Sequence, residues 1–345
     1  MFKALLFICC CGLLCLNTVA AKSPKVIFIN PGHANNNITG PFWHEVSALM
    51  ADAAADFNIE LNTYYANRNH ILMKSLIIDA IAVNPDMLIL VDEKGILTSL
   101  LTSLPAFDTP IYFLLNRPTD KNLQALLKQG VNIQGSVVPN NIQAGRLLAE
   151  QLAKKTTSAT FYAISGDYVT QASLDRSTGL QQYLSEQNQS LSAQSVANWS
   201  AEEAYHQSFA VLSHDTTINA VWCANDAIAL GAIRTLVAMK KRNKVIVGSI
   251  NWPASVINNA IDVSIGGHVT LGALAIINSY DILHSSQPAK IKHHTLDIFS
   301  LHNPQSLKLV QQIHANQVNI DFRQFSHSAP QRLEFTINNL LAQVK

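Results

Sequence analysis

The stretch INAVWCANDAIALGAIRTLVAMKKRNKVIVGSI, residues 218–250, decides the class of fold. It begins with a short apolar run at 218–224 and ends with another at 244–250. Between them, residues 226–241 carry apolar side chains at helical spacing. Apolar runs on either side of an amphipathic helix predict a β-α-β unit. The two strands of such a unit run parallel, and the helix covers one face of their sheet.

The same alternation extends over most of the chain. Further strands are predicted at 25–30, 59–65, 87–91, 110–116, 134–138, 159–165 and near 191–199. Helical patterns lie between them at 42–57, 70–83, 120–130, 140–155, 171–188 and 201–213. Regular alternation predicts parallel sheets with helices on both faces. About ten strands are too many for one ordinary sheet, so we expect an α/β protein of two doubly wound lobes.

The region after residue 261 is less regular. We expect a strand at 262–267, a helix at 269–286, and extended segments at 292–301 and 318–326. The composition is too apolar for a disordered tail, so this region should pack on the lobes.

The composition suits a large globular protein. The chain has 345 residues, 48% hydrophobic and 14% charged, with a formal net charge of +1. No stripe of lysine and arginine appears, so a nucleic-acid partner is not expected.

Residues 1–21 have the pattern of a secretory signal peptide. Lys3 precedes an apolar core of about a dozen residues, and small residues end the segment near Ala21. The apolar core is too short to span a bilayer. The alternative to a signal peptide is a buried N-terminal helix. We expect a mature chain that begins near Lys22 and resides in the periplasm. Outside this segment Cys223 is the single cysteine, which excludes an internal disulfide and suggests a buried apolar role.

Ligands of open α/β sheets bind beyond the carboxyl ends of the strands. Amides, arginines and indole rings recur just after the predicted strands, whereas nucleophile–base pairs do not. The residues in such positions are His33, Phe42, Trp43, Asn67, Arg68, Asp92, Glu93, Asn116, Arg117, Asn140, Asn141, Asp167, Arg176, Trp199, Asn225, Asp226, Asn251, Trp252 and His268.

Several of these features also have a purely structural interpretation. Phe42 and Trp43 follow Gly-Pro, which is well suited to start a helix, but their rings would also fit a core. Arg117 and Arg176 would be of little consequence as surface salt bridges. Asn225 is well placed to cap the following helix, a role compatible with ligand binding. Trp199, Trp252 and His268 are as consistent with the core as with a pocket.

No metal, cofactor or catalytic residue is expected. His293 and His294 lack the spacing of a helical metal site and are interpreted as part of a solvated loop. Gly266-Gly267 does not complete a phosphate-binding loop. A secreted α/β hydrolase is the alternative from another functional class, but the nucleophile elbow GxSxG is absent.

Several motifs, in chain order, resemble those of the ribose-type (type 1) periplasmic solute-binding proteins, a family whose lobes also form the sensor half of lactose-repressor-like regulators. These motifs are GPFW (40–43), TPIYFLLNR (109–117), VVPNNIQAGRLLAEQLAKK (137–155), DRSTGLQQYL (175–184), VWCANDAIALGAIRTL (221–236) and VGSINWP (247–253). The segment ANDAIALGA is the strongest match. A signal peptide stands where the repressor branch has its DNA-binding domain, so that branch is not expected.

The resemblance implies two lobes joined by three crossings, near residues 136–141, 266–268 and 296–299. It predicts a first lobe of residues 25–138 plus 269–295 and a second lobe of 139–267 plus 296–345. A small polar ligand would be trapped between them by hinge closure and delivered to an ABC importer. The alternative is a sensor that presents its closed form to a membrane signalling partner. In either case we expect a monomer and no enzymatic activity.

The resemblance and the strand-end positions together define a predicted ligand site. Its members are Phe42, Trp43, Asp92, Asn116, Arg117, Asn140, Arg176, Trp199, Asn225, Asn251 and His268. Asn141 is the alternative to Asn140.

The sequence departs from the family pattern at two of these positions. Asn116 stands where the family has one aspartate, and Ile250 and Asn251 stand where it has another. In the family these aspartates balance the arginines and accept hydrogen bonds from sugar hydroxyls. Asp92, Glu93 and Asp226 are the alternative acceptors. With fewer carboxylates around the arginines, we expect a ligand with an anionic or acceptor-rich group rather than a plain pentose or hexose.

Overall fold

The computed structural model describes residues 22–35, 40–252, 260–286 and 291–344. The predicted signal peptide, residues 1–21, lies outside the described residues. The strands are β1 (Lys25–Asn30), β2 (Glu60–Tyr65), β3 (Met87–Leu90), β4 (Ile111–Leu114), β5 (Ile133–Pro139), β6 (Phe161–Ser165), β7 (Ala193–Val196), β8 (Ala220–Cys223), β9 (Ile246–Ile250), β10 (Val263–Gly266), β11 (Lys292–Leu296) and β12 (Ser300–Leu301). The helices are α1 (Phe42–Asp56), α2 (His70–Val83), α3 (Leu97–Ser103), α4 (Asp120–Lys128), α5 (Asn141–Ala153), α6 (Gln171–Glu186), α7 (Ala201–His214), α8 (Asp226–Ala238), α9 (Leu271–Leu283), α10 (Pro304–His314) and α11 (Ile337–Gln343).

The strands of the described residues form two sheets of six. The first has the order β11-β5-β4-β3-β1-β2 and is parallel throughout. The second has the order β12-β10-β9-β8-β6-β7 and is parallel except for the β10–β12 pair. Residues 218–250 form β8, α8 and β9 within the second sheet, with Val221 opposite Val247. The prediction of two doubly wound α/β lobes is confirmed.

Both faces of the first sheet are buried. Along β1, Val26 and Phe28 belong to one apolar cluster, and Ile27 and Ile29 belong to another on the opposite face. Such strands need apolar residues at every position, which is why the sequence shows continuous apolar runs rather than alternation. Cys223 is fully buried in the second sheet, and burial raises the pKa of its thiol.

The chain crosses between the two sheets three times. After β5 it enters α5, which packs on β8, β9 and β10 of the other sheet. After β10 it enters α9, which packs on α1, β4 and β5 of the first sheet. The third crossing joins β11 of the first sheet to β12 of the second. These crossings, at 139–141, 267–270 and 297–299, fall within or beside the stretches that the family resemblance implies.

The C-terminal segment packs on the first lobe. Helix α10 contacts α1, and His314 Nε2 donates to Glu45 Oε1 over 2.8 Å. The backbone N–H of Phe322 donates to Asp56 Oδ2, at the C-terminal end of α1. Ser326 donates its hydroxyl to Asp281 on α9. The predicted division places all of 296–345 in the second lobe. In the structure β12 joins the second sheet, whereas residues 304–326 contact helices α1 and α9 of the first lobe.

Three local predictions need correction. Helices α3, α10 and α11 were not predicted, although α10 begins with a capping box at Asn303 and a proline at its first position. The segment 318–326, expected to be extended, contains a 3₁₀ turn at Phe322–Phe325. His293 and His294 lie on the exposed edge strand β11 rather than in a loop, because the row 292–296 pairs with β5.

Among the described residues, no helix has both the length and the apolar character needed to cross a bilayer.

Candidate functional site

A cleft of about 620 Å³ lies between the two sheets. Its walls come from segments that directly follow strands β1 to β10, in agreement with the rule that ligands bind at the carboxyl ends of parallel strands. The lining residues are Phe42, Trp43, Arg68, Glu93, Leu115, Asn116, Pro139, Asn141, Thr170, Ala172, Arg176, Trp199, Asn225, Asn251 and His268.

The first-lobe wall is built around the start of α1. Helix α1 begins at Phe42, directly after Pro41, as the Gly-Pro signal predicts. Trp43 lies directly against Gly32, where a side chain on the glycine would overlap it. The buried Asn30 donates to the carbonyl oxygen of Trp43 over 2.8 Å and so ties the start of the helix to the end of β1. This arrangement leaves both half-buried rings at the cleft.

Phe42 also belongs to a stack of three rings that runs into the crossing region. Its ring lies 4.8 Å from that of His268 at an angle of 25°, and Phe299 lies 4.7 Å from His268 on a tilted plane. Trp43 meets Phe42 edge to face at 5.1 Å. Phe42 therefore both packs against His268 and lines the cleft, an arrangement that is compatible with a structural and with a binding role.

Arg176, on α6, is the most constrained polar group of the cleft. It is 5% exposed, and its Nε donates to Asn141 Oδ1 over 2.9 Å. Its Nη1 donates to the carbonyl oxygen of Ala224 over 2.7 Å, and its Nη2 contacts His268 Nε2 at 3.1 Å. Burial lowers the pKa of Arg176 to about 9, partly opposed by the charge of Asp226. The guanidinium therefore remains charged at neutral pH.

Arg176 also determines the protonation state of His268. A guanidinium only donates hydrogen bonds, so His268 Nε2 must accept, and the ring proton must lie on Nδ1. Burial, together with the charge of Arg176, lowers the pKa of His268, so the ring is neutral.

Trp199 forms part of the opposite wall and is held on two sides. Its backbone has a positive φ of 63°, and the indole lies directly on Gly166, where a Cβ would overlap the ring. Its Nε1 donates to Asp167 Oδ2 over 2.9 Å. Burial disfavours the charge on Asp167, but hydrogen bonds from Thr170, Val169 and Trp199 together lower its pKa. Asp167 is therefore an ionised anchor for the ring.

Asn225 and Asn251 complete the second wall. Asn225 caps α8 by accepting from the N–H of Ile228 over 2.9 Å, so capping and a place in the cleft coexist. Asn251 donates its Nδ2 to Asp226 Oδ1 over 2.6 Å. Asp226 does not line the cleft; it is buried behind Asn251, and burial raises its pKa to about 6.

Three predicted site residues do not line the cleft. Asp92 accepts a hydrogen bond from the N–H of Leu97 and so holds the turn before α3. Arg117 pairs with Asp120 at 2.7 Å, and Asn140 caps α5 while donating to Asp297. Arg117 and Asn140 line an adjoining groove beside the crossings, which shares Leu115, Asn116, Pro139 and Asn141 with the cleft.

Of the two candidates Asn140 and Asn141, Asn141 is the one that lines the cleft. Trp252, whose role was open, is buried against Gly266 and donates to the carbonyl oxygen of Ser300. It is not among the lining residues.

The cleft also contains residues that the predicted site omitted. Arg68 and Glu93 follow β2 and β3, and their positions after strands make them candidates in the sequence. Arg68 Nη2 lies 3.9 Å from Glu93 Oε1. Burial raises the pKa of Glu93, and Arg68 partly offsets this effect. Thr170 and Ala172, at the start of α6, carried no signal in the sequence.

Within the described ranges, no group of three or more histidine, cysteine, aspartate or glutamate side chains is arranged to hold a metal ion.

Solved structures of periplasmic binding proteins share this fold. A periplasmic sugar-binding protein from Pseudomonas fluorescens is 24% identical, with a TM-score of 0.79 over 92% of this chain and 99% of that chain. An ABC transporter periplasmic solute-binding protein from Actinobacillus succinogenes, solved with D-allose, is 19% identical, with a TM-score of 0.70 over 83% of this chain and 99% of that one. An ABC transporter solute-binding protein from Bacillus halodurans, solved with myo-inositol, is 20% identical, with a TM-score of 0.67 over 86% and 98% of the two chains.

The sequence itself matches a family profile. The family described as "Periplasmic binding protein domain" matches residues 26–260, which is more than half of the chain. The chain belongs to the periplasmic binding protein family.

Proposed function

We propose that this protein is a periplasmic receptor that traps a small polyhydroxylated ligand in the cleft and delivers it to an ABC importer. The observation that carries the proposal is the composition of the cleft walls. Aromatic rings come from both lobes, Phe42 and Trp43 from one and Trp199 from the other, and amides and guanidinium groups converge between them. Rings that cover the apolar faces of a sugar, with polar groups at its hydroxyls, are a common way to bind such a ligand.

The hinge supports the same proposal. Three crossings connect the lobes beside the cleft, and rotation about short connections of this kind closes a two-lobed protein on its ligand. Closure would exclude water from Arg176 and the neighbouring amides, which strengthens their hydrogen bonds.

The structural neighbours point to the class of ligand. Two of them were solved with D-allose and with myo-inositol, both polyhydroxylated rings of small size. Their identity to this chain is about one fifth, so they support the class of ligand and not the particular compound.

A thermal-shift experiment tests the proposal. The chain from residue 22 onward would be purified, freed of bound ligand by unfolding and refolding, and screened against monosaccharides, cyclic polyols and sugar acids. A true ligand should raise Tm in a concentration-dependent way, because it binds only the folded state. Small-angle scattering should show a smaller radius of gyration with that ligand. The proposal is wrong if no compound of these classes shifts Tm.

A further inference from the structure

The charges that line the cleft do not balance. Among the residues that the structure describes, Arg68, Arg176 and Glu93 are the charged ones that line it. Arg68 and Glu93 face each other at 3.9 Å. Arg176 makes no ion pair with any carboxylate of the described residues, although it is almost fully buried. The cleft therefore has an excess positive charge at Arg176. Burying a cation without a paired anion is costly in free energy, so a ligand that supplies the anion would be favoured.

The surroundings of Arg176 are neutral where they touch it. Asn141, the carbonyl oxygen of Ala224 and neutral His268 accept its hydrogen bonds, and the ring of Trp199 lies 5.7 Å from its central carbon. Phe299 approaches it from another side, at 6.0 Å.

Two carboxylates act on Arg176 from a greater distance. Asp226 and Asp175 both favour its charged form, but neither is hydrogen-bonded to it. Asp226 accepts from Asn251, and Asp175 accepts from Gln171. Neither lines the cleft, so they reduce the excess charge without covering the guanidinium.

Arg176 has donors to spare. A guanidinium carries five N–H groups. Three of them donate to partners among the described residues, one from each nitrogen. One N–H therefore remains on each of the terminal nitrogens, Nη1 and Nη2. A carboxylate is well suited to accept such hydrogen bonds, and charge-assisted bonds of this kind are stronger than those to a neutral hydroxyl.

Asn251, which also lines the cleft, offers the opposite kind of group. Its Nδ2 donates to Asp226, which fixes the orientation of the amide. Its Oδ1 is buried and has no hydrogen-bond partner among the described residues. An unpaired buried acceptor needs a donor, and a ligand hydroxyl in the cleft would supply one.

We infer, on the basis of the proposed function, that the ligand is a sugar acid. Its carboxylate binds the free N–H groups of Arg176, and one of its hydroxyls donates to Asn251 Oδ1. A neutral sugar satisfies the second group but leaves the guanidinium without a counter-charge.

Calorimetry with matched compounds tests this inference. Each pair consists of a neutral pentose or hexose and the uronic or aldonic acid derived from it, titrated at pH 7 and low salt. We expect at least one acid to bind about 30-fold or more tightly than its neutral partner, the range expected when a buried charge gains its partner. If the neutral sugars bind as tightly as their acids, the inference is wrong and the proposed function stands. If no compound of either kind binds, both fail.

Two variants show whether Arg176 causes the preference. Arg176→Gln should reduce it to less than about threefold, because the cation is gone. Arg234→Gln is the matched control, since this arginine pairs with Glu202 on the surface, does not line the cleft, and should leave the preference unchanged. Circular dichroism would establish that each variant is folded. An unchanged preference in folded Arg176→Gln contradicts the inference, and if that variant does not fold, the comparison of acid and neutral sugar in the parent decides.

Discussion

The two walls of the cleft are held in different ways. In the second wall, three side chains are each fixed by a hydrogen bond: Trp199 is bound to Asp167, Asn225 to the start of α8, and Asn251 through its Nδ2 to Asp226. In the first wall, Arg68 and Glu93 meet only at 3.9 Å, and the two rings are placed by the start of α1. The comparison indicates that the second wall is organised before the ligand arrives, whereas the first wall has more freedom to adjust to it.

The helix pairs behind the two walls give the largest expected contrast. A Cβ on Gly145 of α5 would overlap the backbone carbonyl of Arg176 on α6, while a Cβ on Gly272 of α9 would meet the carbonyl oxygen of Val46 at 2.8 Å. Gly145→Ala should lower the free energy of unfolding by about 3 kcal/mol or more, and Gly272→Ala by about 1–2 kcal/mol. Urea unfolding of both variants measures this. Equal losses would show that the α5–α6 pair and the α1–α9 pair pack equally closely.

The tryptophans of the two walls give the next contrast. Trp43→Ala and Trp199→Ala should each weaken ligand binding by about 1–3 kcal/mol through lost ring contact. We expect the larger loss for Trp199, because its ring is already fixed by Gly166 and Asp167 and needs no ordering on binding. Calorimetry with the compound identified in the thermal-shift screen measures both. Phe209→Ala, on the half-exposed face of α7, is the control and should bind normally. A larger loss for Trp43 would reverse our assignment of the organised wall.

Because Asp167 is ionised, lowering the pH should weaken its hold on Trp199 in the second wall. Its pKa is lowered in the folded state, so its ionised form stabilises the fold above the unfolded value of about 4, and this contribution disappears as the pH falls through the lowered value. Asp167→Asn should therefore cost about 1–2 kcal/mol at pH 7 and less at pH 3. Urea midpoints at the two pH values measure the difference. A cost that stays the same at both would show that the charge of Asp167 does not matter.

The smallest effect is expected at the support of the first wall. The hydrogen bond to Glu45 raises the pKa of His314, so the pair stabilises the fold fully below the unfolded value of about 6.5 and loses its effect as the pH rises through the folded value. His314 is about one third exposed, so His314→Gln should cost less than about 1 kcal/mol at pH 5.5 and nothing measurable at pH 8.5. Thermal unfolding at both pH values gives the result. A cost larger at pH 8.5 would contradict the assignment.

Much of this arrangement was predictable from the sequence. Continuous apolar runs identified the parallel strands, and the positions just after them included Asn116, Arg176, Asn251 and His268, all of which line the cleft. The rule has a physical basis, because the carboxyl ends of parallel strands meet at one edge of each sheet.

The rule failed where a local partner redirects the side chain. Asp92, Arg117 and Asn140 also follow strands, but a nearby N–H, Asp120 and Asp297 take up their polar groups. The position after a strand does not determine the direction of a side chain. Likewise, the helical spacing of 304–314 shows that one face must be covered but not which lobe covers it.

The cover that the C-terminal segment places over α1 has a consequence for the order of folding. His314 and Glu45 are 269 positions apart in the chain, and the first sheet also needs β11 at its edge. The second sheet, by contrast, takes all its strands from residues 161–301. Contacts that close long loops form late, because the entropy of closing the loop must be overcome first. The lobe that begins the chain should therefore be the later of the two to reach its native state, and the protein should assemble from its middle outward.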